Sequence, residues 1–378
     1  RRVLFRSVRV KFLTKNPKYA LPQSDFDIST SLNRKGLSDA LNQVFELDPP
    51  VPFDFKIHGN FLRQSLHQAI QEYQISTETI IPIEFFPAFR PPTPLEEHKT
   101  EAWISSLSFY KGGVLGSLYD GTIFWNDSKF KYGEGALSPL KCVAGLGDHG
   151  AVAGGIDGCV TYFDLDNPNN HKKFALHNDA IYSIATNKDV EHLFITGCAD
   201  GSISMWSTAG EGGSLLSPFV GHNDSVQCLE WNDPNTLISV SLDRTIRFWD
   251  VNALQEKSLM TANCGILSVA SRGTMLLTGH PDRTIKLWDT RVEERKSVVR
   301  EFKSHVNWVS SVSWITNDIF ASGGYDGAVK CWNIGTSIPL YTISQRDEKI
   351  FTVVSNESDL YSGGSGEIVH HFKFNKEE

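Results

Sequence analysis

Ser241-Leu-Asp-Arg-Thr-Ile-Arg-Phe-Trp249 opens on an Asp-Arg turn and runs on as alternating polar and apolar residues that end in tryptophan. An aspartate can accept backbone N–H bonds inside a tight turn, and period-two alternation marks a half-buried strand. The same signature recurs as SLYDGTIFW (117–125), GIDGCVTYF (155–163), CADGSISMW (198–206), HPDRTIKLW (280–288), GYDGAVKCW (324–332) and, more weakly, GSGEIVHHF (364–372). The turn positions Asp120, Asp157, Asp200, Asp243, Asp282, Asp326 and Gly366 lie 37 to 44 residues apart. Seven copies at that spacing predict seven repeats of one small sheet.

A repeat of roughly 40–45 residues ending in this way resembles the WD repeat. The expected fold is therefore mainly β, with a seven-bladed WD-repeat β-propeller over residues 101–378. Upstream of three turns lie His177, His222 and His305, and four residues before the turn aspartates sit Thr196, Ser239 and Ser322. The resemblance groups them into hydrogen-bonded tetrads: His177–Thr196–Asp200–Trp206, His222–Ser239–Asp243–Trp249 and His305–Ser322–Asp326–Trp332. A serine, a histidine and an aspartate could suggest a hydrolase, but a trio repeated in every blade is structural, because catalytic triads are not repeated.

Several copies depart from the pattern. The first has Gly116 in place of the hydroxyl, the second has Phe163 for tryptophan, the fifth is read as having no histidine for the network, and the seventh lacks both aspartate and tryptophan. A propeller must close its ring or leave strand edges bare. A segment within residues 85–100 is expected to supply the outer strand of the last blade.

The bulk numbers fit this picture. At 378 residues, with 40% hydrophobic and 21% charged residues, the chain has room for two domains. A net charge of −8 argues against a broad grip on a phosphate backbone. The six cysteines (Cys142, Cys159, Cys198, Cys228, Cys264 and Cys331) are dispersed without a C-x-x-C pair, and buried reduced thiols are the expectation. No apolar run approaches the length of a membrane span. With no secretory signal, an intracellular chain is expected, and the triplets at Asn126, Asn223 and Asn356 are taken as chance glycosylation matches. No P-loop, nucleophile elbow or H-E-x-x-H motif points to an enzyme. His67 and the His370-His371 pair are not expected to bind metal.

Residues 8–86 lack the repeat. Val8–Leu13, Phe26–Thr30, Phe53–Ile57 and Thr79–Phe85 read as strands, Leu37–Phe45 has helical spacing with Ser38 near the start, and Leu62–Tyr73 reads as a turn and short helix. The order is that of a small α+β ubiquitin-like (β-grasp) domain. Residues 87–100, with Pro87, Pro91, Pro92 and Pro94, read as a stiff linker that also holds the possible closing strand. Residues 1–7 (RRVLFRS) fit no element and resemble the translation of an adaptor read-through, so the native chain is expected to begin near Val8.

The stretches SLNRKGLS (31–38), LDPPVPFDF (47–55) and ISTE (75–78) resemble the Notchless-like N-terminal domain, and in particular the family of WD-repeat subunits of the PeBoW complex, which also contains Pescadillo and the block-of-proliferation protein. The resemblance covers nearly the whole chain after residue 7. Notchless itself is the nearest rival, but its propeller has an extra blade. A ubiquitin-pathway WD-repeat adaptor is a further alternative, although the domain has no Gly-Gly tail for conjugation.

The resemblance implies a non-catalytic scaffold in maturation of the pre-large-subunit ribosomal particle, in the nucleolus and nucleoplasm. It implies docking of the propeller to the block-of-proliferation protein and capture of the ubiquitin-like domain by midasin, an AAA ATPase that removes the complex from the particle. In that family a glutamate before the last β-grasp strand enters midasin's metal-ion-dependent adhesion site. The matching residue is Glu78, flanked by Ser76 and Thr77. No cofactor is expected on this chain, the magnesium being supplied in trans.

Overall fold

A computed structural model describes residues 7–21, 25–126, 128–131, 138–167, 171–175, 177–187, 192–208, 214–292 and 297–374. The chain divides into two compact units, 1–90 and 91–378. The first contains a five-stranded sheet, and the described residues of the second form seven four-stranded sheets.

The first unit comprises β1 (Ser7–Leu13), β2 (Asp25–Ser29), α1 (Arg34–Phe45), β3 (Phe53–Ile57), β4 (Asn60–Phe61), α2 (Leu66–Glu72) and β5 (Ile81–Pro87). Its sheet order is β2-β1-β5-β3-β4. The central pair is parallel, with Val10 opposite Ile81, and β3 runs antiparallel to β5 with Phe55 opposite Phe85. Period-two alternation places Val8, Val10 and Phe12 in the core and leaves the intervening residues of β1 exposed. Leu37 and Leu41 of α1 close over Phe53, Phe55, Ile83 and Phe85.

Two boundaries differ from the sequence reading. The helix α1 starts four residues before Ser38, because the Asn33 side chain accepts the Gly36 N–H at 3.1 Å and caps it. Ser38 is instead buried mid-helix, where its hydroxyl accepts the Phe53 N–H at 2.9 Å. With Asn42, which exchanges two 2.7 Å bonds with Val51, it fixes the entry of β3. Of the first seven residues, Ser7 belongs to β1, opposite Ser29, whereas residues 1–6 lie outside those described.

In the second unit each blade has four antiparallel strands, and in the first six the Asp-Gly or Asp-Arg turn joins the second strand to the third, a place taken in the seventh by Ser365-Gly366. The third strand of the fourth blade is Thr245–Asp250, facing Thr236–Ser241. Apolar residues of neighbouring blades share cores: Ile238 and Ile246 pack with Ile266, Leu276 and Trp288 of the next blade. The last blade is Ile350–Ser355, Asp359–Gly364 and Ile368–Lys373, completed by β6 (Thr93–Lys99). Thr93 faces Lys373 and Lys99 faces Ile368. The proline-rich stretch is therefore mostly strand, and only residues 88–92 lie between β5 and β6. A channel of about 1410 Å³ runs between the innermost strands of all seven blades.

Candidate functional site

After α2 the chain is turned by Gln74, which holds φ at 52°, and the Ile75 N–H bonds the Ile70 carbonyl at 3.0 Å. Ile75 packs on the β-grasp core and Ile81 is buried at the head of β5, so the five residues between them are pinned at both ends. At the middle of that segment Glu78 is exposed, and its N–H donates to the Ser76 hydroxyl at 3.4 Å. Ser76 is exposed and Thr77 half-buried. The Glu78 carboxylate forms no ion pair with any described residue. A hard oxygen donor held outward in this way can fill one open position on an octahedral divalent cation.

The turn networks take the predicted form in two blades. His222 Nε2 meets the Ser239 hydroxyl at 2.7 Å, its Nδ1 meets Asp243 at 2.8 Å, and the Trp249 indole N–H donates to Ser239 at 2.8 Å. His305 repeats this, with Nε2 2.7 Å from the Ser322 hydroxyl and Nδ1 3.0 Å from Asp326, and the Trp332 indole N–H donates to Ser322 at 2.8 Å. Burial works against charge on Asp243 and Asp326, but the hydrogen bonds they accept outweigh it and hold both carboxyls at about 2.

The third network is incomplete. His177 Nε2 meets Thr196 at 2.7 Å and Trp206 donates to the same hydroxyl at 2.8 Å, but Nδ1 faces the Ser202 hydroxyl at 3.2 Å, and Asp200 only caps the Ser202 N–H at 2.8 Å. Donor atoms of His177, Cys198 and Asp200 lie within 4.8 Å of one another. The Cys198 thiol, however, already donates to the Asp179 carbonyl at 3.4 Å, and burial pushes its pKa to about 11.

The fifth blade corrects the sequence reading. A histidine is present there, supplied by the turn itself: His280 Nε2 meets the Thr278 hydroxyl at 2.7 Å, Trp288 donates to that hydroxyl at 2.7 Å, and Nδ1 meets the Gly265 carbonyl at 3.0 Å. Its signal in the sequence was the His that opens HPDRTIKLW, where the other copies have a small residue. In the seventh blade Ser362 occupies the hydroxyl position fully buried, with neither tryptophan nor turn aspartate, and its oxygen has no hydrogen-bond partner among the described residues. His370 is buried 3.2 Å from Glu97, and His371 pairs with Asp359 at 2.7 Å. His67 is half-buried on α2.

Residues 8–70 match the family model described as the NLE (NUC135) domain, a match that stops short of Glu78. Residues 169–207, 213–250, 255–289 and 296–333 match the WD domain, G-beta repeat. Proteins named ribosome biogenesis protein WDR12 homolog are similar throughout: the one from Nematostella vectensis is 27% identical over 95% of this chain and 97% of its own length. The one from Drosophila mojavensis is 28% identical over 98% and 96%, and the one from Chlamydomonas reinhardtii 25% identical over 95% and 96%. With an NLE match ahead of its WD-repeat matches, the chain is similar over nearly its whole length to proteins named ribosome biogenesis protein WDR12 homolog.

Proposed function

We propose that this chain is a non-catalytic scaffold of large ribosomal subunit assembly, acting in the nucleolus and nucleoplasm. Its propeller docks to the block-of-proliferation protein, through which Pescadillo joins. Its β-grasp domain presents Glu78 to the metal of midasin's adhesion site, and midasin then removes the complex from the pre-ribosomal particle. Support for ribosome biogenesis comes from the names of the full-length relatives. The observation that carries the midasin step is the exposed, ion-pair-free Glu78 on a segment pinned by Ile75 and Ile81.

The ubiquitin-pathway alternative is less favoured by the outer face of the β-grasp sheet, which is charged. Arg9 pairs with Asp27 at 3.7 Å, and the Lys56 ammonium lies 4.9 Å from the Phe61 ring centroid and 5.3 Å from that of Phe86. Such a face offers little bare apolar area to a ubiquitin receptor.

The test is binding of the full chain to the midasin adhesion domain with magnesium. Glu78→Ala and Glu78→Asp should both abolish binding while leaving the thermal midpoint unchanged, and chelation should do the same to the wild type. Retention of binding by both variants would refute the assignment.

A further inference from the structure

We propose that one mouth of the propeller channel is a docking site for a partner protein that inserts a carboxylate side chain flanked by apolar residues. This deepens the scaffold reading by naming the chemistry through which the propeller takes a partner, without requiring that partner to be the block-of-proliferation protein.

The centre of the site is Lys141, the second residue of the innermost strand of blade two, Leu140–Leu146. Its ammonium is half-buried, donates to the Tyr119 hydroxyl at 2.7 Å, and lies 5.2 Å from the Tyr119 ring centroid and 5.7 Å from that of Tyr182. Tyr119 comes from the turn of blade one and Tyr182 from the innermost strand of blade three, so three blades converge on one amine. An ammonium has three N–H groups. Phenol rings attract a cation but do not neutralise it, and Lys141 forms no ion pair with any described residue. Burial alone disfavours the charge, but the Tyr119 hydroxyl and the neighbouring phenols outweigh it and hold the amine above its ordinary pKa, so it stays a cation with no carboxylate paired to it among the described residues.

The surroundings define the rest of the ligand. Phe351 stands 6.1 Å from Tyr119 and 5.5 Å from Tyr325, and Tyr325 stacks on Trp308 at 5.5 Å. Trp103 packs 6.2 Å from Tyr119 and 6.3 Å from Phe351. Trp103 and Trp308 are 49% and 46% exposed, so a continuous aromatic arc from blade six to blade one lies beside the amine with much of its area open. Partly exposed aromatics around a polar anchor have the composition of a protein-binding hot spot. A polyanion fits less well: the turn aspartates, Asp120 and Asp157 among them, flank the same end of the ring, and the chain carries a net charge of −8.

The full chain is panned against phage displaying random 12-residue peptides, alongside Lys141→Met, Lys141→Arg and Trp308→Ala. Enriched peptides should share an Asp or Glu between apolar residues. They should bind Lys141→Met at least roughly thirtyfold more weakly, the low end for losing one partner of a buried charge pair. Lys141→Arg should retain some of the binding and Trp308→Ala should weaken it. A cooperative thermal transition of Lys141→Met shows that the variant being panned is folded. The proposal is overturned if no peptide is enriched, if the enriched peptides lack an acidic residue, or if folded Lys141→Met binds equally well. Binding of a 20-nucleotide single-stranded RNA that Lys141→Met abolishes would also overturn it, in favour of nucleic acid. Midasin binding through Glu78 should be untouched by Lys141→Met, so the two readings fail separately.

Discussion

A single hydroxyl has opposite value in two blades. Ser239 receives Trp249 and His222, whereas Ser362, equally buried, has no partner among the described residues. Removing a satisfied buried hydroxyl strands its partners, while removing an orphaned one relieves an unmet desolvation cost. Ser239→Ala should therefore destabilise by about 2 kcal/mol and Ser362→Ala should be neutral or stabilising, as measured by urea unfolding. His280 adds a pH dependence. Burial, with Lys286 nearby, depresses its pKa to about 4 from an ordinary 6.5. Between those values the unfolded chain binds a proton that the folded chain refuses, so stability is lost as pH falls through that window. The effect is on the order of 3 kcal/mol. Denaturation midpoints at pH 7, 5.5 and 4.5 should fall in that order, and less steeply in His280→Gln.

At the scale of the element, every blade is held by its strand pairs, and the third to the sixth add a polar link that is separable from the turn. Asp243 caps the Thr245 N–H and also bonds His222, whereas Asp200 caps Ser202 but leaves His177 to Ser202. Asp243→Ala should cost about 2–3 kcal/mol and Asp200→Ala about 1 kcal/mol or less, in thermal or urea melts. Because the Asp243 carboxyl is held near 2 against an ordinary 3.8, its contribution is complete above pH 3.8 and is lost as pH falls towards 2.

The blades were legible in the sequence because the alternation in Thr245–Trp249 and the turn aspartate are local signals at a fixed spacing. His280 was not, since its network place is set by the three-dimensional position of the ring nitrogen rather than by its distance along the chain. The start of α1 was missed because Ser38 has the side chain of a cap but is used across the sheet by Phe53, while Asn33 does the capping. The two-residue strand β4 is too short to show any period. The exposure of Glu78 depends on how Ile75 and Ile81 pin its segment, which no local pattern around it reveals.

For the whole molecule the decisive feature is the origin of β6. It lies before the first blade in sequence, yet its register from Thr93 to Lys99 against Ile368–Lys373 closes the last one. Removing residues 1–90 should leave a folded propeller. Removing residues 1–100 should expose the edge of Ile368–Lys373 and give a chain that aggregates and melts lower, read by light scattering and calorimetry. Only residues 88–92 separate β6 from the β-grasp sheet. The strand that follows the Glu78 segment, β5, and the latch of the ring, β6, are thus consecutive elements joined by five residues. Tension applied to the small domain is carried through residues 88–92 to the Thr93–Lys373 rung before any other rung of β6. A motor that holds this protein by its first domain is therefore pulling on the zipper of its second.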